Sequence, residues 1–206
     1  MKPILFNTEM VRAILEGRKT VTRRVVKFPR GWNLKFTGYI PDGAVLYGSN
    51  NIPAAKSPYQ PGDTLWVRET FRKVRIKHPG RAVPDDYQEF QYEYKADGDI
   101  LNSDGTPVKW RSPYHMSREA ARLFLRVTAV RAERLRDIFK DPPGPENQVV
   151  REGLKYGCDF IATWENTIKP KERTTYGWEA NPWVWVIEFE RISKEEANHE
   201  ARSATD

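Results

Sequence analysis

The run Pro182-Trp183-Val184-Trp185-Val186-Ile187-Glu188-Phe189 limits the possible folds more than any other stretch of the chain. It carries apolar side chains at successive rather than alternate positions, which places a strand at the centre of a sheet and not at its rim. Other stretches alternate and supply its neighbours. In 64–71, Leu65, Val67 and Glu69 share one face, and Trp66, Arg68 and Thr70 the other. Residues 123–130 set Leu123, Leu125 and Val127 against Phe124, Arg126 and Thr128, and Phe90, Tyr92 and Tyr94 alternate with polar partners. Residues 25–28 end a further strand. Helical spacing is rarer and shorter. Residues 8–16 place Val11, Ile14 and Leu15 on one face, with Thr8 as the cap and Gly17 as the stop. Residues 146–157 read as a helix with Val149, Val150 and Leu154 inward, and Phe160, Ile161, Trp164 and Ile168 define another. Many strands with few short helices predict an α+β fold built on an antiparallel sheet or small barrel. Neither a GxGxxG fingerprint nor a P-loop is present, which argues against dinucleotide binding and P-loop NTP hydrolysis.

Punctuation separates these segments. Residues 31–62 are rich in Gly, Pro, Asn and Ser and read as a loop with one short hairpin, closed by the turn Pro61-Gly62-Asp63. Residues 74–88 read as a second loop, 141–145 as a firm break, 169–181 as polar loop and 193–206 as a frayed, flexible tail. Residues 1–192 are expected to form a single domain. One cysteine, Cys158, permits no internal disulfide, which fits a reducing cytoplasm. No signal peptide and no ~20-residue apolar run is seen, so no membrane association is expected. A net charge of +6 favours anionic partners, although the 28 acidic residues are interspersed among the 34 basic ones.

The chemistry centres on Gly17-Arg18-Lys19-Thr20-Val21-Thr22-Arg23-Arg24, where a helix gives way to an extended segment. As a bare charge run this is a solvated basic turn. The Lys19/Thr22 pair gives it more point, because a lysine can activate a neighbouring hydroxyl once burial and nearby cations such as Arg18, Arg23 and Arg24 lower its pKa. A carboxylate would complete the set, and Glu69 and Glu152 are both candidates. His78, His115 and His199 are scattered, without the spacing of a metal site, so neither metal nor cofactor is expected. Trp66, Trp110, Phe90, Tyr92 and Tyr94, interleaved with Arg68, Lys109 and Arg111, offer a surface on which a base could stack.

Taken in order, four stretches resemble the ASCH domain of the PUA-like superfamily. These are Glu16-Gly17-Arg18-Lys19-Thr20-Val21-Thr22-Arg23-Arg24 after a helix, Pro61-Gly62-Asp63-Thr64-Leu65-Trp66-Val67-Arg68-Glu69, the strand at 123–130 followed by Leu135 and then Arg151-Glu152-Gly153-Leu154, and the closing strand at 184–189. The resemblance implies a PUA-like small antiparallel β-barrel with a few short flanking helices and long insertions at about 29–60 and 72–112. Within that superfamily the chain is similar to bacterial amidohydrolases that cleave N4-acetylcytidine. This likeness implies Thr22 as nucleophile, Lys19 as its base, Glu152 as the partner that orients it or shuttles protons, and Arg24 beside them. Arg24, Trp66, Arg68, Glu69 and Trp110 are expected to bind substrate, a modified cytidine nucleoside or RNA, with no obligate protein partner. Other ASCH-like proteins are suggested to bind or cut RNA, so an RNA-binding module or a ribonuclease is the alternative.

Overall fold

The computed structural model describes residues 1–28, 38–39, 45–47, 53–76, 89–102, 104–140 and 147–203. In chain order the elements are β1 (Lys2–Leu5), α1 (Thr8–Leu15), β2 (Val21–Val25), β3 (Gly38–Tyr39), β4 (Val45–Tyr47), β5 (Pro53–Lys56), β6 (Thr64–Arg68), β7 (Phe71–Arg75), β8 (Phe90–Tyr94), β9 (Phe124–Arg134), α2 (Gln148–Arg151), α3 (Gly157–Thr167), α4 (Arg173–Tyr176), β10 (Trp183–Ile192) and α5 (Lys194–Ser203). The fold is mixed α+β. Five strands form the main sheet in the order β1-β6-β9-β10-β2, while β3-β4-β5 and β7-β8 form smaller sheets. Much of the loop expected at 31–62, parts of the two expected insertions and the break at 141–145 lie outside the described residues.

β10 lies inside the sheet, as its composition requires, paired antiparallel with β9 on one side and β2 on the other. Both its faces are covered. Trp185, Ile187 and Phe189 join Val11 and Ile14 of α1, with Phe6, Leu65, Leu125 and Val127, in one apolar cluster. Val184 and Val186 join Val21, Leu135, Ile138, Val149, Phe160 and Trp164 in a second, beneath α2 and α3. A third cluster, around Trp66, Phe71, Met116, Phe124 and Ile192, seats α5 through Ala197.

Several expectations are corrected. The sheet is open, not a closed barrel: β1 and β2 are its two edges, and no ladder joins them. It is not wholly antiparallel either, because β1 runs parallel to β6. The C-terminal segment is not frayed through Ser203. It forms α5, held where Glu200 accepts from Thr64 Oγ1 at 2.6 Å and from Arg126, with Ala197 fully buried. Helix α1 is capped by Asn7 rather than Thr8, the Asn7 side chain accepting from Met10 N at 2.8 Å. The helix expected over 146–157 shrinks to the four residues of α2, with Val150 exposed and Glu152 at the C-cap. Gly153 takes a left-handed φ of 84° there, which ends the helix. Leu135 and Ile138 are completely buried in a 3₁₀ turn. Among the described residues no helix is long and apolar enough to cross a membrane.

Candidate functional site

The gap between the edge strands is where the site forms. An unpaired edge leaves outward-facing carbonyls that need donors, and here side chains supply them. Lys19 Nζ donates to Val21 O at 2.8 Å, Arg24 donates to Arg23 O at 3.0 Å and Leu5 O at 3.1 Å, and the Tyr59 hydroxyl donates to Pro3 O at 2.8 Å. Arg24 thus reaches from one edge of the sheet to the other. The space left open is a cavity of about 730 Å³, lined by Ile4 and Leu5 of β1, by Thr22 and Arg24 of β2, and by Arg68 and Glu152. That volume is ample for a small-molecule ligand.

Lys19 is placed by the turn that follows α1. Gly17 has φ 74°, and the backbone N–H groups of both Arg18 and Lys19 then donate to Ala13 O. Lys19 pairs with Glu152 in an isolated antiparallel bridge, and Thr20 N donates to Arg151 O at 2.9 Å. Gly153 permits this approach, since a Cβ there would stand 2.6 Å from the Ala13 Cβ and 3.1 Å from the Lys19 Cβ.

Residues 133 apart in sequence therefore meet. Lys19 Nζ donates to Glu152 Oε2 at 2.5 Å and to Glu152 O at 3.0 Å, with the lysine side chain wholly buried. With Val21 O, these acceptors engage all three ammonium hydrogens. Glu152 Oε1 accepts from Arg23 Nη1 at 3.0 Å. Arg23 also binds Glu133, at 2.6 Å, and Gln148; Glu133 and Gln148 in turn meet Arg131, and Arg131 and Arg151 share Glu188. The network alternates in sign, so the buried charges are compensated. Burial pushes the Lys19 pKa below its ordinary value, helped by the Arg24 and Arg23 charges and opposed by Glu152. Burial likewise lowers Arg24, against the pull of Glu152.

Thr22 and Arg24 project from the same side of β2, two residues apart. Thr22 Oγ1 accepts from Arg24 Nη1 at 2.8 Å, and no hydrogen bond joins it to the Lys19 amine. The Thr22 hydroxyl hydrogen has no acceptor among the described residues. Lys19, Thr22, Arg24 and Glu152 thus form one constellation, with Lys19 behind the cavity wall. Arg68 lines the same cavity, its guanidinium 4.9 Å from the Trp66 ring.

Three of the sequence candidates lie elsewhere. Trp66 is packed in the cluster beneath α5. Glu69 binds Arg122 through both oxygens, at 2.9 and 3.0 Å. Trp110 precedes Arg111, which pairs with Phe71 next to the β7–β8 hairpin. None of the three lines the cavity, and neither do Phe90, Tyr92 or Tyr94. The aromatic lining comes instead from Tyr59, Tyr114, Phe160, Trp164 and Tyr176. Sequence reading passed over Tyr59 because it sits in a stretch without periodicity, and over Tyr114 because it lies in a short 3₁₀ turn. Glu133 lies beyond the stretch 123–130 read as a strand, and no spacing singled it out; β9 runs on to Arg134. Among the described residues no three His, Cys, Asp or Glu side chains gather as a metal site would need.

No protein-family model matches the chain, and no curated protein and no solved structure matches it.

Proposed function

We propose that the protein is a metal-independent amidohydrolase that removes the acyl group from N4-acylated cytidine or cytosine nucleosides. One observation carries this reading: Thr22, its hydroxyl bonded by the Arg24 guanidinium, lines a ligand-sized cavity that is also lined by Glu152, whose carboxylate binds Lys19. In the mechanism, Lys19 passes a proton to Glu152 Oε2, and the freed amine turns from Val21 O to accept the Thr22 proton. Burial favours the uncharged amine and so assists this exchange. Thr22 Oγ bonds to the acyl carbon, and Arg24 stabilises the oxygen that becomes anionic. The C–N4 bond then breaks as N4 takes the proton held by Glu152. Water hydrolyses the threonine ester, with the same pair moving its protons, and gives the carboxylic acid and restores Thr22.

The test is a spectrophotometric assay of N4-acetylcytidine and a longer N4-acyl analogue with wild type, Lys19→Ala, Thr22→Ala and Thr22→Ser. Wild type is expected to consume the acyl-cytosine absorbance. Thr22→Ala is expected to lose at least about 100-fold, the scale for removing a chemical participant, and Thr22→Ser to retain part of the rate. No turnover by wild type, or full activity in Thr22→Ala, would overturn the proposal. The RNA-binding and ribonuclease alternatives draw on the cationic cavity wall, and they predict salt-dependent RNA binding or RNA shortening on a gel instead.

A further inference from the structure

Five cationic side chains line the cavity (Arg23, Arg24, Lys27, Arg68 and Lys169) against two carboxylates, Glu152 and Glu172. Arg23 is paired with both Glu133 and Glu152. Arg24 already commits three of its five N–H groups to Thr22 Oγ1 and two backbone carbonyls. Lys27 and Lys169 are exposed, and water serves them. Arg68 differs from all of these. It is half-buried, its Nε is shut off from solvent with no acceptor, and its side chain makes no hydrogen bond or ion pair among the described residues. A buried donor without an acceptor costs roughly 1–3 kcal/mol, so a structure that keeps one has a use for it or an absent ligand. The Trp66 contact explains its position but not its donors: the guanidinium carbon lies 4.9 Å from the ring centroid, and a cation–π contact uses none of its N–H groups. Arg68 lines the cavity, and with Nε enclosed its Nη1 and Nη2 groups are the donors left for an occupant; such a pair suits a phosphate, which it can grip through two parallel hydrogen bonds.

Position supports the same occupant. In the parallel β1–β6 ladder Arg68 is in register with Leu5, and Leu5 O accepts from Arg24. Arg68 on β6 is therefore separated from Thr22 on β2 by β1 and the open gap, at least two strand spacings or about 10 Å. A base and a sugar bridge that span. Resting on the amidohydrolase reading for the end at Thr22, we propose that Arg68 forms an anion subsite for the phosphate of the substrate, so that the cavity takes an N4-acylated cytidine phosphate in preference to the uncharged nucleoside.

Two measurements on the full chain test it separately. In calorimetric titrations, cytidine 5′-monophosphate is expected to bind about tenfold or more tighter than cytidine, the scale of one charge-assisted contact. Arg68→Gln should bring that ratio to about one, and Arg68→Lys should leave it in between, with the thermal midpoint and near-UV circular dichroism confirming the fold. A 3′-monophosphate and a dinucleotide in parallel distinguish a terminal phosphate from a phosphodiester. A wild-type ratio near one, or a ratio that survives in folded Arg68→Gln, overturns the subsite. In deacylation assays, KM for N4-acetylcytidine 5′-monophosphate should fall below that for N4-acetylcytidine in wild type, and Arg68→Gln should erase the difference. If neither compound is turned over while the binding ratio holds, the amidohydrolase reading fails and the anion subsite stands.

Discussion

Gly153→Ala isolates the contact on which the site depends. The substitution adds one methyl at a position with φ 84°. A left-handed conformation costs an L-residue roughly 1–2 kcal/mol. The new Cβ would also stand 2.6 Å from the Ala13 Cβ and 3.1 Å from the Lys19 Cβ. Carbon atoms in contact prefer about 3.5–4.0 Å, so α1 and the Glu152 segment must part by close to 1 Å, with overpacking adding about 1–3 kcal/mol. The expected loss is about 2–5 kcal/mol. Gly17→Ala is the internal control: its φ is 74°, but nothing lies within 4 Å of the added Cβ, so it should lose only the conformational share. Urea unfolding of both variants measures the difference. Because the displaced atoms flank the 2.5 Å contact between Lys19 Nζ and Glu152 Oε2, Gly153→Ala should also lower deacylation more than Gly17→Ala does. Ala13→Gly in the Gly153→Ala background removes the tightest contact and should restore part of the stability. If the two glycine variants lose equal stability, close approach at Gly153 does not govern the site.

Breaking the buried pair with Lys19→Met should cost about 3–5 kcal/mol, and Lys19→Met with Glu152→Leu should cost less than the sum of the singles; additive losses in the unfolding cycle would mean that the two are uncoupled. The folded pKa of Lys19 lies below 10.5, so in the window between the two values the unfolded state binds more protons. The stability of wild type relative to Lys19→Met should therefore rise as pH increases through that window, and a fall would refute the shift. Glu69 has the opposite sign: burial raises its pKa above 4.5 despite Arg122, so the folded state binds more protons just above that pH. The stability of wild type relative to Glu69→Gln should fall as pH rises from 4.5, and a flat difference profile counts against it. Tyr94 is pushed up to about 12 by burial, its hydroxyl donating to Ala120 O, so Tyr94→Phe should remove a late-titrating phenol from an absorbance titration of the folded protein.

The parts of the fold that could be read from sequence were those governed by local periodicity. β10, β6, β9 and α3 announced themselves because a strand's alternation, or its absence, and a helix's 3.6-residue spacing are imprinted by the surfaces they bury. β1 was not visible: only Ile4 of its four residues is buried, and Pro3 discourages a strand assignment unless the strand is an edge. α5 was hidden by its polarity, with Ala197 its one buried residue and much of its hold coming from Glu200 reaching Thr64 and Arg126. Openness of the barrel could not be read at all, because closure depends on whether strands 20 residues apart form a ladder. Within the candidate site, Lys19 and Thr22 stood out by their spacing, and the resemblance added Arg24. The resemblance pointed to Glu152, but its position at a helix C-cap depends on the approach at Gly153. Trp66 and Glu69 misled because strand alternation puts them on opposite faces without saying that both faces are covered, one by α5 and the other by Arg122.

The open edge explains why the candidate catalytic groups are hard to separate from structural ones. Where a ladder would have paired β1 with β2, the carbonyls of Val21, Arg23 and Leu5 are served by Lys19 and Arg24. Removing either cation leaves buried acceptors unmet as well as removing a reactive group, so a dead Lys19 or Arg24 variant does not by itself reveal a catalytic role. Thr22 escapes this ambiguity. Among the described residues its hydroxyl serves no backbone carbonyl and accepts from Arg24 alone. Thr22→Val replaces the hydroxyl with a methyl of similar size and leaves the edge donors in place, at the loss of one hydrogen bond from a charged donor, about 1.5–3 kcal/mol. If Thr22 is the nucleophile, activity should disappear in a protein that stays folded, and Thr22→Ser should recover it in part. If Thr22→Val keeps its rate, the hydroxyl only positions Arg24, and the chemistry must be assigned to a water held by Glu152.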